Sequence, residues 1–346
     1  MKIAFRCDAS MQLGSGHVMR CLVLARALAV QGAVCTFLCS DLAGHLGAYI
    51  REQGFDRVLM NLPDVHEDAR QSHDALAAMG GVDWLVVDHY ALDAAWESGM
   101  RHVCQRIMVI DDLADRQHDA DLLLDQNLGR EAHDYAGLLS AAAICLTGSH
   151  YALLRPEFAV LREQQDSRSV PPATLRLLLS LGGSDPDNVT GKIIALLAGA
   201  WPADRPLELD VVAGLQYPWL EALRIQTATL PFMVRLHQAT PHMAELMMHS
   251  DMAIGAAGGT AWERCCLGLP SLLVVLADNQ RMGAANLQRA GAALLLGEPW
   301  QLEQSLLPAL FRLAEPTRLQ AYRQAAWAVT DGGGAERVVD RILALT

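Results

Sequence analysis

At 346 residues, with 52% of them hydrophobic, the chain is long enough for two α/β domains, each with its own core. Its formal net charge of −12 argues against a general nucleic-acid surface or an anionic-membrane surface. An anionic small ligand is not excluded, because helix N-termini bind phosphates without net positive charge.

Met1-Lys2-Ile3-Ala4-Phe5-Arg6 opens as a charged strand where a signal peptide would need an uninterrupted apolar core. No apolar run reaches the ~18 residues that span a bilayer. The eight cysteines are scattered, with only Cys265 and Cys266 adjacent, and read as buried thiols in a reducing compartment. A cytoplasmic location is expected.

The first predicted strand, 2–7, runs into Gly14-Ser15-Gly16-His17 and a helix opens near His17, with Val18, Cys21, Leu22, Ala25, Leu28 and Ala29 at helical spacing. A strand, a glycine turn and a helix in succession are how open α/β sheets build ligand crevices. A dinucleotide fingerprint would need a third glycine, and this loop presents an imidazole instead. A helix N-terminus disfavours imidazolium, so His17 would stay neutral and able to accept a proton near pH 7, as a general base must. The competing reading is a helix-start histidine with a satisfied ring. Asp8 could orient that ring, and Arg6 with Asp8 reads equally as a structural pair.

Further strands are predicted at 33–39, 56–60, 83–88, 106–111, 121–125 and 143–147. Helix-length segments separate them, which implies a parallel, doubly wound sheet. Asp88-His89-Tyr90 ends one of these strands and would point into the same crevice as His17, unless it is a capped turn. His66, His73, His118 and His133 fall in polar segments and are expected to be solvated.

Polar and proline-rich, 151–173 reads as a connection between a first domain over 1–150 and a second over 174–346. The second set of strands is predicted at 174–181, 207–213, 232–237, 251–255, 271–276 and 292–296, and a last helical pair at 301–329 and 335–345. Gly332-Gly333-Gly334 between those helices reads as a flexible turn, and the sequence leaves open which domain they pack on.

Three loops of the second half suit a ligand. Gly182-Gly183-Ser184-Asp185 follows a buried-type strand and is either a phosphate cradle or an ordinary turn. Asp185-Pro186-Asp187 looks like a D-x-D metal motif, but a locked proline favours helix capping. Ala257-Gly258-Gly259-Thr260 leads into Glu263, whose carboxylate could take hydrogen bonds from a ribose diol or form a capping box with Thr260. Asn279 and Gln280 follow the strand 271–276 at its carboxyl end, where crevice ligands bind. No histidine cluster has metal-ligand spacing, and no metal site is expected.

In combination, Arg6-x-Asp8, Gly14-x-Gly16-His17-x-x-Arg20, Asp88-His89-Tyr90, Leu181-Gly182-Gly183-Ser184-Asp185 and Asn279-Gln280 resemble the UDP-sugar hydrolases of pseudaminic acid biosynthesis. These cleave UDP-2,4-diacetamido-2,4,6-trideoxy-β-L-altropyranose. The resemblance covers about residues 1–300 and implies the MurG-like GT-B fold, two Rossmann-like domains with a cleft that closes on substrate. It implies His17 as general base, with Tyr90 and Asn279 assisting at the sugar. Gly182, Gly183, Ser184 and the Ala257 to Thr260 loop would hold the diphosphate, and Glu263 the ribose. The remaining motif residues would line the substrate site, with a UDP-sugar and water as partners, no cofactor, and the oligomeric state left open.

The chemistry agrees. A glycosidase needs a general acid because its alcohol leaving group must be protonated. UDP leaves as a diphosphate whose terminal pKa is roughly 6, so one base to activate water is enough, and attack opposite UDP would invert the anomeric centre. Two rivals stand: a MurG-like glycosyltransferase that uses an acceptor other than water, and a nucleotide-sugar sensor with no use for His17.

Overall fold

The computed structural model describes residues 1–164, 174–183, 185–215 and 217–346. Ser184 of the expected phosphate loop, and 165–173 of the expected connection, lie outside them. The chain divides into a unit made of Met1–Leu154 with Gly333–Thr346, and a second unit, Arg155–Gly332.

The first unit holds seven parallel strands: β1 (Lys2–Cys7), β2 (Val34–Ser40), β3 (Asp56–Met60), β4 (Val82–Asp88), β5 (Cys104–Ile110), β6 (Leu122–Asp125) and β7 (Ile144–Thr147). Their order is β3-β2-β1-β4-β5-β6-β7, so the sheet reverses direction between β1 and β4. Cys7 lies beside Asp88 in that pairing, so both strands end level at the switch point where such sheets bind ligands.

Side chains alternate across the sheet. Ile3, Phe5, Cys7, Trp84 and Val86 pack with Val18 and Leu22 of the helix Gly16–Val30, and with Val338 and Ile342 of the helix Gly334–Leu345. The opposite face, with Ala4, Leu85 and Val87, packs on Leu76 and Trp96 of the helices Val65–Ala78 and Ala94–Met100.

The second unit repeats the plan with β8 (Leu175–Ser180), β9 (Leu207–Ala213), β10 (Met233–Gln238), β11 (Met252–Ala256), β12 (Ser271–Val274) and β13 (Ala293–Gly297), in the order β10-β9-β8-β11-β12-β13. Its switch point falls between β8 and β11. Every strand expected from the sequence overlaps one of these thirteen.

Three expectations need correction. The segment 301–329 is two helices, Leu302–Leu313 and Pro316–Trp327, because Pro316 has no N–H to continue the first and opens the second. Gly334 is not part of a loose turn: it starts a helix, and a Cβ there would collide with the backbone of Tyr151 and Ala152. The helix that follows belongs with the first unit. His118 is not solvated but 4% exposed, with Nδ1 2.7 Å from Glu97 Oε1.

Candidate active site

The pleat decides which carboxylate meets His17. Arg6 and Asp8 share the parity of Ala4 and project away from the helix Gly16–Val30, whereas Asp88 shares the parity of Trp84 and Val86 and projects toward it. Asp8 therefore does not orient His17. Its carboxylate accepts from Arg6 Nη1 at 2.7 Å, from Ser40 N and Oγ at 2.7 Å each, and lies 3.2 Å from His89 Nε2. Burial alone would raise the Asp8 pKa, but His89 and Arg6 hold it far below the carboxylate range.

Arg6 is 1% exposed, and all its nitrogens are engaged by Asp8, Asp68 and Ser40. The structural-pair reading of Arg6 and Asp8 is the one this geometry fits. His89, with Nδ1 accepting from Ala91 N at 3.1 Å, completes a capped turn.

Asp88 is 1% exposed and takes Arg20 in a two-pronged pair, with Nε and Nη2 each at 2.6 Å. Burial pushes its pKa up, but the adjacent Arg20 charge leaves it below the ordinary value. His17 Nδ1 stands 3.8 Å from Asp88 Oδ1, and this nitrogen is buried with no hydrogen-bond partner. The ring packs edge-on against Tyr90, with centroids 4.7 Å apart. Burial, outweighing the attraction of Asp88, lowers the His17 pKa, so the ring is held neutral.

Asp112 is the residue that sequence reasoning missed. It accepts from Arg20 Nη1 at 3.0 and 3.1 Å, and from the Tyr90 hydroxyl at 3.0 Å. The sequence shows it only as a polar residue just past a strand, and strand order is what sets it beside β4. The loop is fixed beneath it: Arg130 donates Nη2 to the Asp112 carbonyl and Nε to Asp125, and the Tyr135 hydroxyl lies between Asp111 and Asp125. Gly14, with φ +74°, turns the loop after β1, and a Cβ on Gly14 or Gly16 would meet nothing within 4 Å.

In the second unit the two glycine loops flank the β8/β11 switch point. Gly182 has φ +103°, and a Cβ on Gly214 after β9 would collide with Gly183. Asp185 caps the helix Val189–Ala200, accepting from Val189 N at 2.9 Å and Thr190 N at 2.8 Å, so its carboxylate serves the backbone. Among the described residues no group of three potential ligands could hold a metal ion. A Cβ on Gly258 or Gly259 would meet nothing within 4 Å, and neither has a positive φ, so neither packing nor backbone demands glycine there.

Thr260 begins the helix Thr260–Cys266, and no capping box forms with Glu263. Glu263 Oε1 lies 3.7 Å from Arg155 Nη2, and burial raises its pKa. Asn279 is exposed ahead of the helix Gln280–Arg289, while Gln280 Oε1 accepts from Leu276 N at 3.1 Å and closes the strand end. Among the described residues no helix is long and apolar enough to cross a membrane.

No family model matches the chain. It is 26% identical over 288 residues to an uncharacterized protein of Methanocaldococcus jannaschii, covering 81% of this chain and 56% of that protein. It is 26% identical over 292 residues to the UDP-2,4-diacetamido-2,4,6-trideoxy-beta-L-altropyranose hydrolase of Campylobacter jejuni, covering 84% and 97%. To the spore coat polysaccharide biosynthesis protein SpsG of Bacillus subtilis it is 30% identical over 198 residues, covering 55% and 56%. The chain thus spans little more than half the length of two of these relatives.

Among solved structures it superposes on MurG of Acinetobacter baumannii with a TM-score of 0.70 at 16% identity, over 99% of both chains. On the UDP co-structure of S. aureus MnaA the score is 0.66 at 14% identity, over 100% and 97%. The chain therefore has the GT-B type of fold, two Rossmann-like α/β units, and is similar along most of its length to a UDP-sugar hydrolase.

Proposed function

We propose that the protein hydrolyses a UDP-linked 2,4-diacetamido-2,4,6-trideoxy sugar to the free sugar and UDP, in the biosynthesis of pseudaminic or a related nonulosonic acid. The observation that carries this reading is His17. Its ring is 9% exposed, kept neutral by burial, and has one nitrogen turned toward Asp88 at the switch point of the first sheet. Similarity to the Campylobacter hydrolase supports this choice of substrate class.

His17 Nε2 takes a proton from water, whose oxygen attacks the anomeric carbon. The bond from that carbon to the β-phosphate oxygen breaks, and its electron pair leaves with UDP. The terminal phosphate has a pKa of roughly 6, so no acid is needed, and the anomeric centre inverts. Asp88 stabilises the imidazolium that forms, and the Tyr90 ring fixes its plane. A general base contributes ~10²–10⁴-fold and electrostatic stabilisation of the diphosphate a comparable or larger share. The loops Gly182-Gly183 and Ala257 to Thr260 hold the diphosphate, Glu263 the ribose, and Asn279 the sugar.

A second reading, transfer of the sugar to an acceptor, is favoured by the likeness of the fold to MurG. Incubating the purified protein with UDP-linked diacetamido-trideoxy sugars and no acceptor separates the two. UDP and free sugar released in equal amounts support hydrolysis, and release only when an acceptor is added supports transfer.

A further inference from the structure

Arg264, in the second turn of the helix Thr260–Cys266, is 1% exposed, yet among the described residues it forms no ion pair. Arg6, equally buried, is held between two aspartates. The Arg264 guanidinium is instead ringed by neutral oxygens. Nη2 donates to the Ala256 carbonyl at 2.7 Å, Nη1 to Thr260 Oγ1 at 3.2 Å and Nε to Ser271 Oγ at 3.1 Å.

Space for it is made by Gly255, where a Cβ would collide with Nη1. Those partners place the charge directly beneath the turn Ala257-Gly258-Gly259-Thr260. The neighbouring Glu263 carboxylate faces Arg155. Burial pulls the Arg264 pKa down to about 10, so the side chain stays charged at neutral pH. The Glu263 charge acts on Arg264 through space, but no carboxylate pairs with the guanidinium directly among the described residues. A buried charge without a direct partner is costly, and its field is screened far less than that of a surface charge.

We propose that Arg264 is the built-in countercharge for an anion seated on the Ala257 to Thr260 turn, the diphosphate of a nucleoside diphosphate. The inference rests on the reading of this turn as the diphosphate loop. Thr260 connects the two. Its hydroxyl oxygen accepts from Arg264, so its own proton is free to be donated to a phosphate oxygen. A chain that keeps a wholly buried guanidinium over a glycine, in hydrogen-bond contact with the carbonyl that precedes the loop and with the loop's own hydroxyl, has built positive potential where backbone N–H groups alone would be weaker.

The test is calorimetric titration of the full chain with UDP and with uridine, for wild type, Arg264→Gln and Arg264→Lys. Gln keeps a donor and loses the charge, and Lys keeps the charge. Arg264→Gln is expected to bind UDP roughly ten- to a hundredfold more weakly, the range for hydrogen bonds to a charged group. Uridine affinity should be unchanged, and Arg264→Lys should retain most of the UDP affinity. Equal losses for UDP and uridine, or a Lys variant as weak as Gln, would make Arg264 a scaffold for the loop and overturn the proposal. If Arg264→Gln does not fold, the Lys variant decides alone, by whether UDP affinity survives. Failure of the wild type to bind UDP would instead reject the reading of the loop itself.

Discussion

Replacing Asp88 by Asn removes a charge while preserving shape. The carboxylate faces His17 Nδ1 at 3.8 Å and is wholly buried. At that separation a lone charge acts on an imidazolium with about 4 kcal/mol at an effective dielectric constant of ~20, and it favours the protonated ring. Arg20, clamped to the same carboxylate at 2.6 Å, opposes it. Arg20 is present in both proteins, so the change is the loss of the Asp88 attraction itself, and the imidazole pKa moves downward. The groups facing the ring in addition to Asp88 are Arg20, Asp112 and His89, and all three remain.

The acid limb of kcat/KM should accordingly move to lower pH. The plateau should fall by roughly 10²–10⁴-fold, because a side-chain amide turned to Nδ1 favours the tautomer with its proton on Nε2, which cannot accept another. Arg20 keeps Asp112, so the stability cost should stay under the ~3–5 kcal/mol of a fully broken buried pair. Release of UDP followed from about pH 5 to 9, beside thermal unfolding of both proteins, measures all three quantities. A plateau within about fivefold of wild type, with the acid limb unmoved or shifted upward, would show that Asp88 serves Arg20 alone.

His17→Asn should depress turnover by ~10²–10⁴-fold with KM nearly unchanged; a variant that keeps more than about a tenth of wild-type turnover makes His17 structural. The same variant should flatten the loss of stability on acidification. The folded imidazole pKa lies below the unfolded value of about 6.5, so the unfolded chain takes up its proton first as pH falls through that value. Glu263→Ala should weaken UDP binding by ~1.5–3 kcal/mol, and unchanged affinity by calorimetry would remove Glu263 from the ribose site. Gly334→Ala, which forces a methyl against the backbone of Tyr151 and Ala152, should destabilise the protein by ~1–3 kcal/mol; an unaltered denaturation midpoint would refute the close approach.

Where strands begin and end could be read from apolar runs and turn residues, and so could the capping role of Asp185, because both are local patterns. Strand order is not local. Asp112 joined the His17 group only once β5 was known to lie beside β4, and His118 looked solvated because its partner Glu97 belongs to the helix Ala94–Met100, remote in sequence from the loop that carries His118. The choice between Asp8 and Asp88 was legible in principle. Ile3, Phe5 and Cys7 set one face of β1, so Asp8 had to fall on the other with Arg6. Applying the pleat to residues just beyond the strand end would have sent His89 to Asp8 and Asp88 to Arg20.

The composition of the first unit has a consequence for how the protein is made. Val338, Val339 and Ile342 fill the same core as Phe5, Val18 and Leu22, and Trp84 Nε1 donates to the hydroxyl of Thr346 at 3.1 Å. A nascent chain that has released residues 1–154 from the ribosome still exposes that core face until the intervening 155–332 have followed and the helix Gly334–Leu345 can dock. During that interval the exposed surface is a binding site for chaperones and a route to aggregation. A fragment cut after the seventh strand inherits the same bare surface permanently. Anyone seeking to express the first unit alone would have to splice the last helix onto residue 154 rather than simply truncate.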